Sequence, residues 1–309
     1  MNWLYTSWNK TEQSSQKSIK KFQYTIIATQ RIIMTIKQTV KKYSSELKEV
    51  THIPSKEIEI LIMYLLDKNI IWLHLNYDKE FEKKNELLPL IKKRAAYYPM
   101  EYIIGQASFY GEQFYTHSNV LIPRPETEIL VDKAKEALEN IKNPNIVEIG
   151  TGSGIISIML ALLIEDIQIT AVDINDDALE LARKNAKKLK VEDKITFVKS
   201  NLFSNLKETS FDMCVSNPPY IANNYKLPEN VKFEPSNALF GGEIGDELLV
   251  DIIDLSVKHN IRFLYCEMGY DQKEPLSKIL KSCNPLSLDF YKDYSQFDRG
   301  FCVEFNNNK

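Results

Sequence analysis

The stretch Asn217-Pro218-Pro219-Tyr220 has the residue types for chemistry on a flat nitrogen. Consecutive prolines fix φ and carry no N–H, so the carbonyls around them are left to accept hydrogen bonds. Asn217 adds a side-chain acceptor. A planar –NH2 group can then donate one hydrogen to the Asn217 amide oxygen and the other to the Pro218 carbonyl, with the Tyr220 ring against its face. An amide or aryl amine is a poor nucleophile because its lone pair is delocalised. Gripping both hydrogens aims the nitrogen at an electrophile and favours the more pyramidal, more positive transition state. Asn, Pro and Tyr also suit an ordinary turn, so the tetrapeptide gains meaning only from what accompanies it.

A second motif lies upstream. The apolar run Ile146-Val147-Glu148-Ile149 leads into Gly150-Thr151-Gly152-Ser153-Gly154, and a helical pattern follows. Glycines there permit a tight turn and close approach of a ligand to the main chain. Dinucleotide enzymes use a similar loop. Two residues favour S-adenosyl-L-methionine instead: Ile155 stands where the dinucleotide fingerprint has Gly or Ala, and Glu148 suits an ammonium better than a pyrophosphate. Asp173 ends the next apolar run and is placed to accept from two ribose hydroxyls; either cofactor could use it. Together the motifs read as methyl transfer to a planar nitrogen, without saying which nitrogen.

Such motifs need strand ends to hold them. Strands are expected at 145–150, 167–173, 195–199, 211–217 and 262–268, with helices at 153–164, 176–190 and 246–258 between them. Short apolar strands alternating with amphipathic helices give βαβ units and a parallel, doubly wound α/β sheet of Rossmann-like form. Segments 287–291 and 300–305 are expected to add an antiparallel pair at one edge. Ahead of the sheet, residues 105–124 fall toward a period of two, with Gly111 at a turn, and read as a β-hairpin linker. Residues 34–104 are helical in pattern and form a small bundle: Ile58, Leu61, Ile62, Leu65 and Leu66 make one face, and Leu87, Leu88, Leu90 and Ile91 begin another. The methyltransferase domain is expected over 125–309.

Composition removes several classes. Lys plus Arg number 39 and Asp plus Glu 42, for a net charge of −3 and a pI near 5.9, which gives no support to direct nucleic-acid binding. The longest apolar stretch, 155–164, is about half of a membrane span. Four scattered cysteines and four scattered histidines suggest neither a disulfide framework nor a zinc site, and no metal is expected. Residues 1–33 carry Lys10, Lys17, Lys20, Lys21 and Arg31 against Glu12 alone. That balance is what an organellar transit peptide shows, but an over-long start ahead of Met34 is the simpler expectation. A cytoplasmic monomer is the expectation otherwise.

Over about 35–309 the chain resembles the glutamine methyltransferases of peptide chain release factors, the HemK or PrmC family. The resemblance is carried by Leu121-Ile122-Pro123-Arg124-Pro125-Glu126-Thr127-Glu128 and by Asn217-Pro218-Pro219-Tyr220, with Glu101-Tyr102-Ile103-Ile104-Gly105, Phe109-Tyr110-Gly111, Phe233-Glu234-Pro235, Ala238-Leu239 and Gly241-Gly242 in support. It implies that Gly150 to Gly154 wrap the methionine end of S-adenosyl-L-methionine, that Asp173 holds the ribose, that Leu202 lies against the adenine and that Asn217 also borders the cofactor. It also implies that Asn217, Pro218, Pro219 and Tyr220 clasp a glutamine amide in a release factor's Gly-Gly-Gln loop, with the helical bundle as docking surface and N5-methylglutamine as product. The chain departs from the family at Asn201-Leu202-Phe203, where Asp-Trp-Phe is usual, so the adenine contact is aliphatic. It also departs at Lys258-His259-Asn260, where a glycine pair is usual, and after Ser295, where a glycine is missing.

The same Asn-Pro-Pro-Tyr corner would serve an exocyclic amine of a nucleic-acid base, or a ribosomal-protein glutamine. A silent docking module would be expected to have lost the clasp or the glycine loop, and both are intact. Cys214 and Cys266 read as small core hydrophobes, and the Lys92-Lys93 and Lys187-Lys188 pairs as solvated helix faces. Arg124, between two prolines, reads equally as a turn residue or as a group that positions an acidic partner.

Overall fold

The computed structural model describes residues 34–206 and 210–306, and the expectations for 1–33 lie outside these. The chain divides into two compact units between Ala95 and Ala96.

The first unit is helical. Helix α1 (Ile36–Tyr43) starts at Thr35, whose hydroxyl accepts from Gln38 N–H at 3.2 Å while the Gln38 side chain accepts from Thr35 N–H at 3.0 Å. Helix α2 (Pro54–Leu66) has proline in its first turn, where no N–H is needed, and ends at Asp67 in the left-handed region. Helix α3 (Ile70–Leu75) is capped by Asn69, and α4 (Lys84–Ala95) contains Pro89. The predicted apolar faces narrow to Ile58, Leu61 and Ile62 on α2 and to Leu87 and Ile91 on α4. Arg94, grouped in the sequence with exposed lysines, is instead buried in a two-pronged pair with Glu57, Nε to Oε2 at 2.7 Å and Nη2 to Oε1 at 3.0 Å.

The second unit opens with helix α5 (Met100–Ile104) and the expected hairpin, β1 (Gln106–Phe109) and β2 (Glu112–Tyr115). Helix α6 (Thr127–Leu138) leads into the main sheet: β3 (Asn145–Ile149), α7 (Ile155–Leu163), β4 (Gln168–Asp173), α8 (Asp176–Lys188), β5 (Ile195–Lys199) and β6 (Met213–Ser216). After β6 a small parallel pair forms, β7 (Ile221–Ala222) with β8 (Phe240–Gly242). Then come α9 (Glu247–Lys258), β9 (Phe263–Glu267), α10 (Lys273–Ser282), β10 (Ser287–Lys292) and β11 (Asp298–Glu304). The seven-stranded order is β10-β11-β9-β6-β3-β4-β5, with β11 antiparallel to both neighbours. The doubly wound α/β sheet and its antiparallel tail therefore stand as the pattern of strands and helices implied.

Register aligns the chemistry. Val172 pairs with Ile149, Ile149 with Ser216, and Ser216 with Cys266. The next residue on each strand is Asp173, Gly150, Asn217 and Glu267, so these four form one row along the carboxyl edge. The strand order reverses between β3 and β6, and such a reversal opens a crevice. Beneath it the core is packed with Val147, Ile149, Cys214, Leu264 and Cys266. Cys214, Cys266 and Cys302 are buried on β6, β9 and β11. Among the described residues no helix is long and apolar enough to cross a membrane.

Candidate active site

The loop 150–154 is fastened at both ends. Thr151 N–H donates to the Val172 carbonyl at 2.9 Å, and Gly154 N–H to the Thr151 carbonyl at 2.8 Å. Glu148 is fully buried, and its Oε2 accepts from Thr151 Oγ1 at 2.7 Å, from Ser157 N–H at 3.2 Å and from the Ser157 hydroxyl. Burial pushes its carboxyl up to about 7, with those hydrogen bonds pulling the other way. The acid picked out as an ammonium partner is thus also the brace of the loop. Asp173 accepts from Gly152 N–H through one oxygen and from Asn175 N–H through the other, each at 2.9 Å, and burial raises its carboxyl.

A pocket opens over Asp173, Gly150 and Asn217 of this row. Glu148, Gly150, Thr151, Gly152, Ser153, Asp173, Leu202, Asn217 and Pro219 are all in its wall. Gly154, expected to touch the cofactor, is not. It enters α7 with φ of +84°, and a Cβ there would lie 2.9 Å from Ile158 Cδ1 and 3.1 Å from Ala182 Cβ. The missing side chain lets α7 pack closely on α8.

The predicted clasp divides this pocket from a second one. Pro219 faces the first, Pro218 and Tyr220 the second, and Asn217 belongs to both, as do Leu121, Arg124 and Ala238. Ser216 Oγ pins the strand end by donating to the Ile149 carbonyl at 2.7 Å. Asn217 Nδ2 donates to Thr127 Oγ1 at 3.1 Å, and Thr127 in turn donates to Glu267. The Tyr220 carbonyl accepts from Gln272 Nε2 at 2.9 Å. Its hydroxyl accepts from Arg299, which is held by Asp293 at 2.7 Å. Burial pushes that hydroxyl up to about 12, so it stays neutral. Gly241 lets β8 approach from behind, since a Cβ there would sit 2.4 Å from the Pro219 carbonyl.

The remaining sequence strings converge on the same corner. Arg124 pairs with Glu234, which also accepts from Ile122 N–H at 3.1 Å, so the 121–128 and 233–235 segments are clamped together. Glu128 accepts from Tyr110 N–H at 2.7 Å, tying in the hairpin turn. Sequence reasoning left Arg124 undecided, and it is an ion-pair partner at the mouth of both pockets. It missed Thr127, Glu267, Gln272 and Arg299 as parts of the site. Thr127 lay inside a noted motif, whereas Glu267 and Gln272 carried no signal of their own.

The PrmC N-terminal domain family matches residues 38–105, and the Methyltransferase small domain family matches 125–232. A release factor glutamine methyltransferase of Aquifex aeolicus (strain VF5) is 35% identical over 271 residues, covering 85% of this chain and 93% of that protein. The chain belongs to the release factor glutamine methyltransferase family. Another member, from Buchnera aphidicola subsp. Baizongia pistaciae (strain Bp), is 34% identical over 272 residues, covering 86% of this chain and 98% of its own length. A bifunctional methyltransferase of Rickettsia bellii (strain RML369-C) is 33% identical, and the chain spans half of it. Among solved structures, the hMettl16 catalytic domain in complex with a 3′UTR hairpin shares the fold at 16% identity and a TM-score of 0.53, covering 87% of this chain and 92% of that one.

As a release factor glutamine methyltransferase the chain is an enzyme that uses S-adenosyl-L-methionine. The first pocket fits that molecule chemically. Both Asp173 oxygens are oriented by backbone N–H groups and retain lone pairs for hydroxyl donors, buried Glu148 offers a counter-charge for a cation, and Ile149, Val172 and Leu202 supply apolar wall.

Proposed function

We propose that this chain methylates the side-chain amide nitrogen, N5, of the glutamine in the Gly-Gly-Gln motif of peptide chain release factors and so promotes translation termination. The observation that carries the reading is the sharing of Asn217 by two pockets, one rimmed by the glycine loop and Asp173, the other by Pro218, Tyr220 and Leu227 together with Arg124, Asp271 and Arg299. The family's named substrate, a release factor glutamine, presents the planar –NH2 that this corner suits.

When bound, S-adenosyl-L-methionine supplies an electrophilic methyl group on a sulfonium. Gly150, Thr151, Gly152 and Ser153 would line its methionine end, with Glu148 toward the ammonium, Asp173 toward the ribose and Leu202 toward the adenine. Across the corner, Asn217 Oδ1 and the Pro218 carbonyl accept the two N–H bonds of the glutamine amide. That grip draws electron density onto the nitrogen, turns its lone pair toward the first pocket and grows stronger as positive charge develops. Pro219 stiffens the turn, and the neutral Tyr220 ring covers the face of the amide. Arg124 and Glu234 hold the rim where the substrate loop would enter.

The net charge of −3 supports a protein substrate over a nucleic acid. The reading includes a monomer acting in the cytoplasm. It is tested by methyl transfer from labelled S-adenosyl-L-methionine to a purified release factor and to the same factor with its Gly-Gly-Gln glutamine changed to alanine, with RNA and ribosomes as controls. Label on the intact factor alone is expected. Label on RNA, or on a ribosomal protein instead, would sink the release-factor assignment.

A further inference from the structure

The motif at 121–128 contributes a residue whose purpose the clasp alone does not explain. Thr127 opens α6 with no exposed surface, 90 residues before Asn217 and 140 before Glu267, yet it touches both. A carboxamide has two ends of opposite hydrogen-bonding sense, and a clasp for an –NH2 group needs the oxygen outward. Only a fixed acceptor behind the Asn217 side chain can enforce that. A threonine hydroxyl can either donate or accept, so its own sense has to be set by a third group. Glu267 does this: ionised, it only accepts, so the Thr127 hydrogen goes to Glu267 and the Thr127 lone pair is left for Asn217 Nδ2–H.

We infer that Thr127 and Glu267 form a polarity relay that holds the Asn217 carboxamide with Oδ1 toward the substrate nitrogen, making both of them positioning residues for the transfer. The inference rests on the proposed amide-methylation reading. Without the Thr127 hydroxyl, the productive orientation leaves Nδ2 of a half-buried amide facing a hydrocarbon, and the unproductive one turns a donor toward a donor. Glu267 is 1% exposed. The groups that bear on it are Arg124 and Glu126 ahead of α6, Arg299 on β11, Tyr220 after β6, Tyr291 on β10 and its neighbour Cys266. Burial raises its carboxyl to about 7, against the pull of Thr127 and the two arginines. Protonated, Glu267 can donate to Thr127 and reverse the relay, so turnover falls as pH drops through about 7.

The test compares wild type, Thr127→Val, Thr127→Ser and Glu267→Gln in steady-state methylation of a release factor at saturating cofactor, which keeps Glu148 titration out of the readout. Thr127→Val is expected to lose about 5- to 100-fold in kcat, with KM for the release factor and affinity for S-adenosylhomocysteine within about threefold of wild type. Thr127→Ser keeps the hydroxyl and is expected to recover most of that loss. Glu267→Gln is expected to lose the acid limb of the kcat–pH profile. A Thr127→Val enzyme with wild-type kcat, a Thr127→Ser enzyme as slow as the valine variant, or an acid limb unchanged in Glu267→Gln overturns the relay while leaving the substrate assignment intact. No label on the release factor from wild-type enzyme overturns the substrate reading, and the relay with it.

Discussion

On the cofactor side of the site, the supports come from nearby in the chain. Glu148 is held by Thr151 and Ser157, three and nine residues on, and Asp173 by Gly152 and Asn175. At the Asn217–Tyr220 corner the supports are remote: Thr127 lies 90 residues away, Gln272 52, and the Arg124–Glu234 clamp spans 110. The loop's braces need only β3, α7 and the adjoining β4. A remotely braced corner forms only when β3, β6, β9 and the start of α6 are all in place. The first arrangement suits a ligand of fixed shape. The second ties reactivity to completed folding, so changes on the two sides should damage different properties.

That contrast can be broken most sharply at Asn217. Asn217→Ala removes the acceptor and is expected to cost about 10³-fold in kcat, with S-adenosylhomocysteine affinity changed by less than about threefold. Steady-state kinetics and calorimetry check this, and a mainly binding defect would put Asn217 on the wrong side of the divide. Gly154→Ala belongs to the other side: strain at φ +84° and the close approach to Ile158 and Ala182 predict about 1–3 kcal/mol of lost stability, read by urea unfolding.

Glu148→Gln is subtler. Because burial raises the Glu148 carboxyl from 4.5 to about 7, the folded chain holds more protons than the unfolded one between those values. Stability contributed by this group therefore falls as pH rises through that window. Glutamine keeps an acceptor for Thr151 and Ser157 but never ionises. Without cofactor, it is expected to be about 1–2 kcal/mol more stable than wild type at pH 8 and equal near pH 4.5. Thermal melts at the two pH values decide; a lower melting temperature at pH 8 would mean that the loop uses the charge. The smallest effect is expected from Leu202→Trp, which exchanges an aliphatic for an aromatic pocket wall. It should tighten cofactor binding about two- to tenfold and leave kcat within about twofold, measured by titration and turnover.

The same contrast governs what the sequence made legible. The glycine loop, Asp173 and the Asn-Pro-Pro-Tyr corner are contiguous strings at strand ends, and alternation of strand and helix patterns gave the sheet. Two expected strands end one residue early because Gly150 and Asn217 leave them to make loops. Gly154 shares a motif with the pocket-lining Gly150 and Gly152 but lies against Ile158 and Ala182, a difference that lies in three dimensions. Arg94 reads as one more basic residue beside Lys92 and Lys93, and only the fold brings Glu57 to it. Thr127, Glu267, Gln272 and Arg299 act through partners from other strands and helices, and register between strands is not written in any one string.

The buried cysteines give the sheet a clock of its own. Cys214, Cys266 and Cys302 lie on β6, β9 and β11, and burial raises all three thiols, two of them to about 12. Cys283, after α10, is half-buried. Thiolate is the reactive form, so a thiol reagent meets Cys283 first and reaches the other three only when the strands part. Timing their modification with and without cofactor would measure how often the sheet beneath the crevice opens, and how much bound cofactor slows that opening.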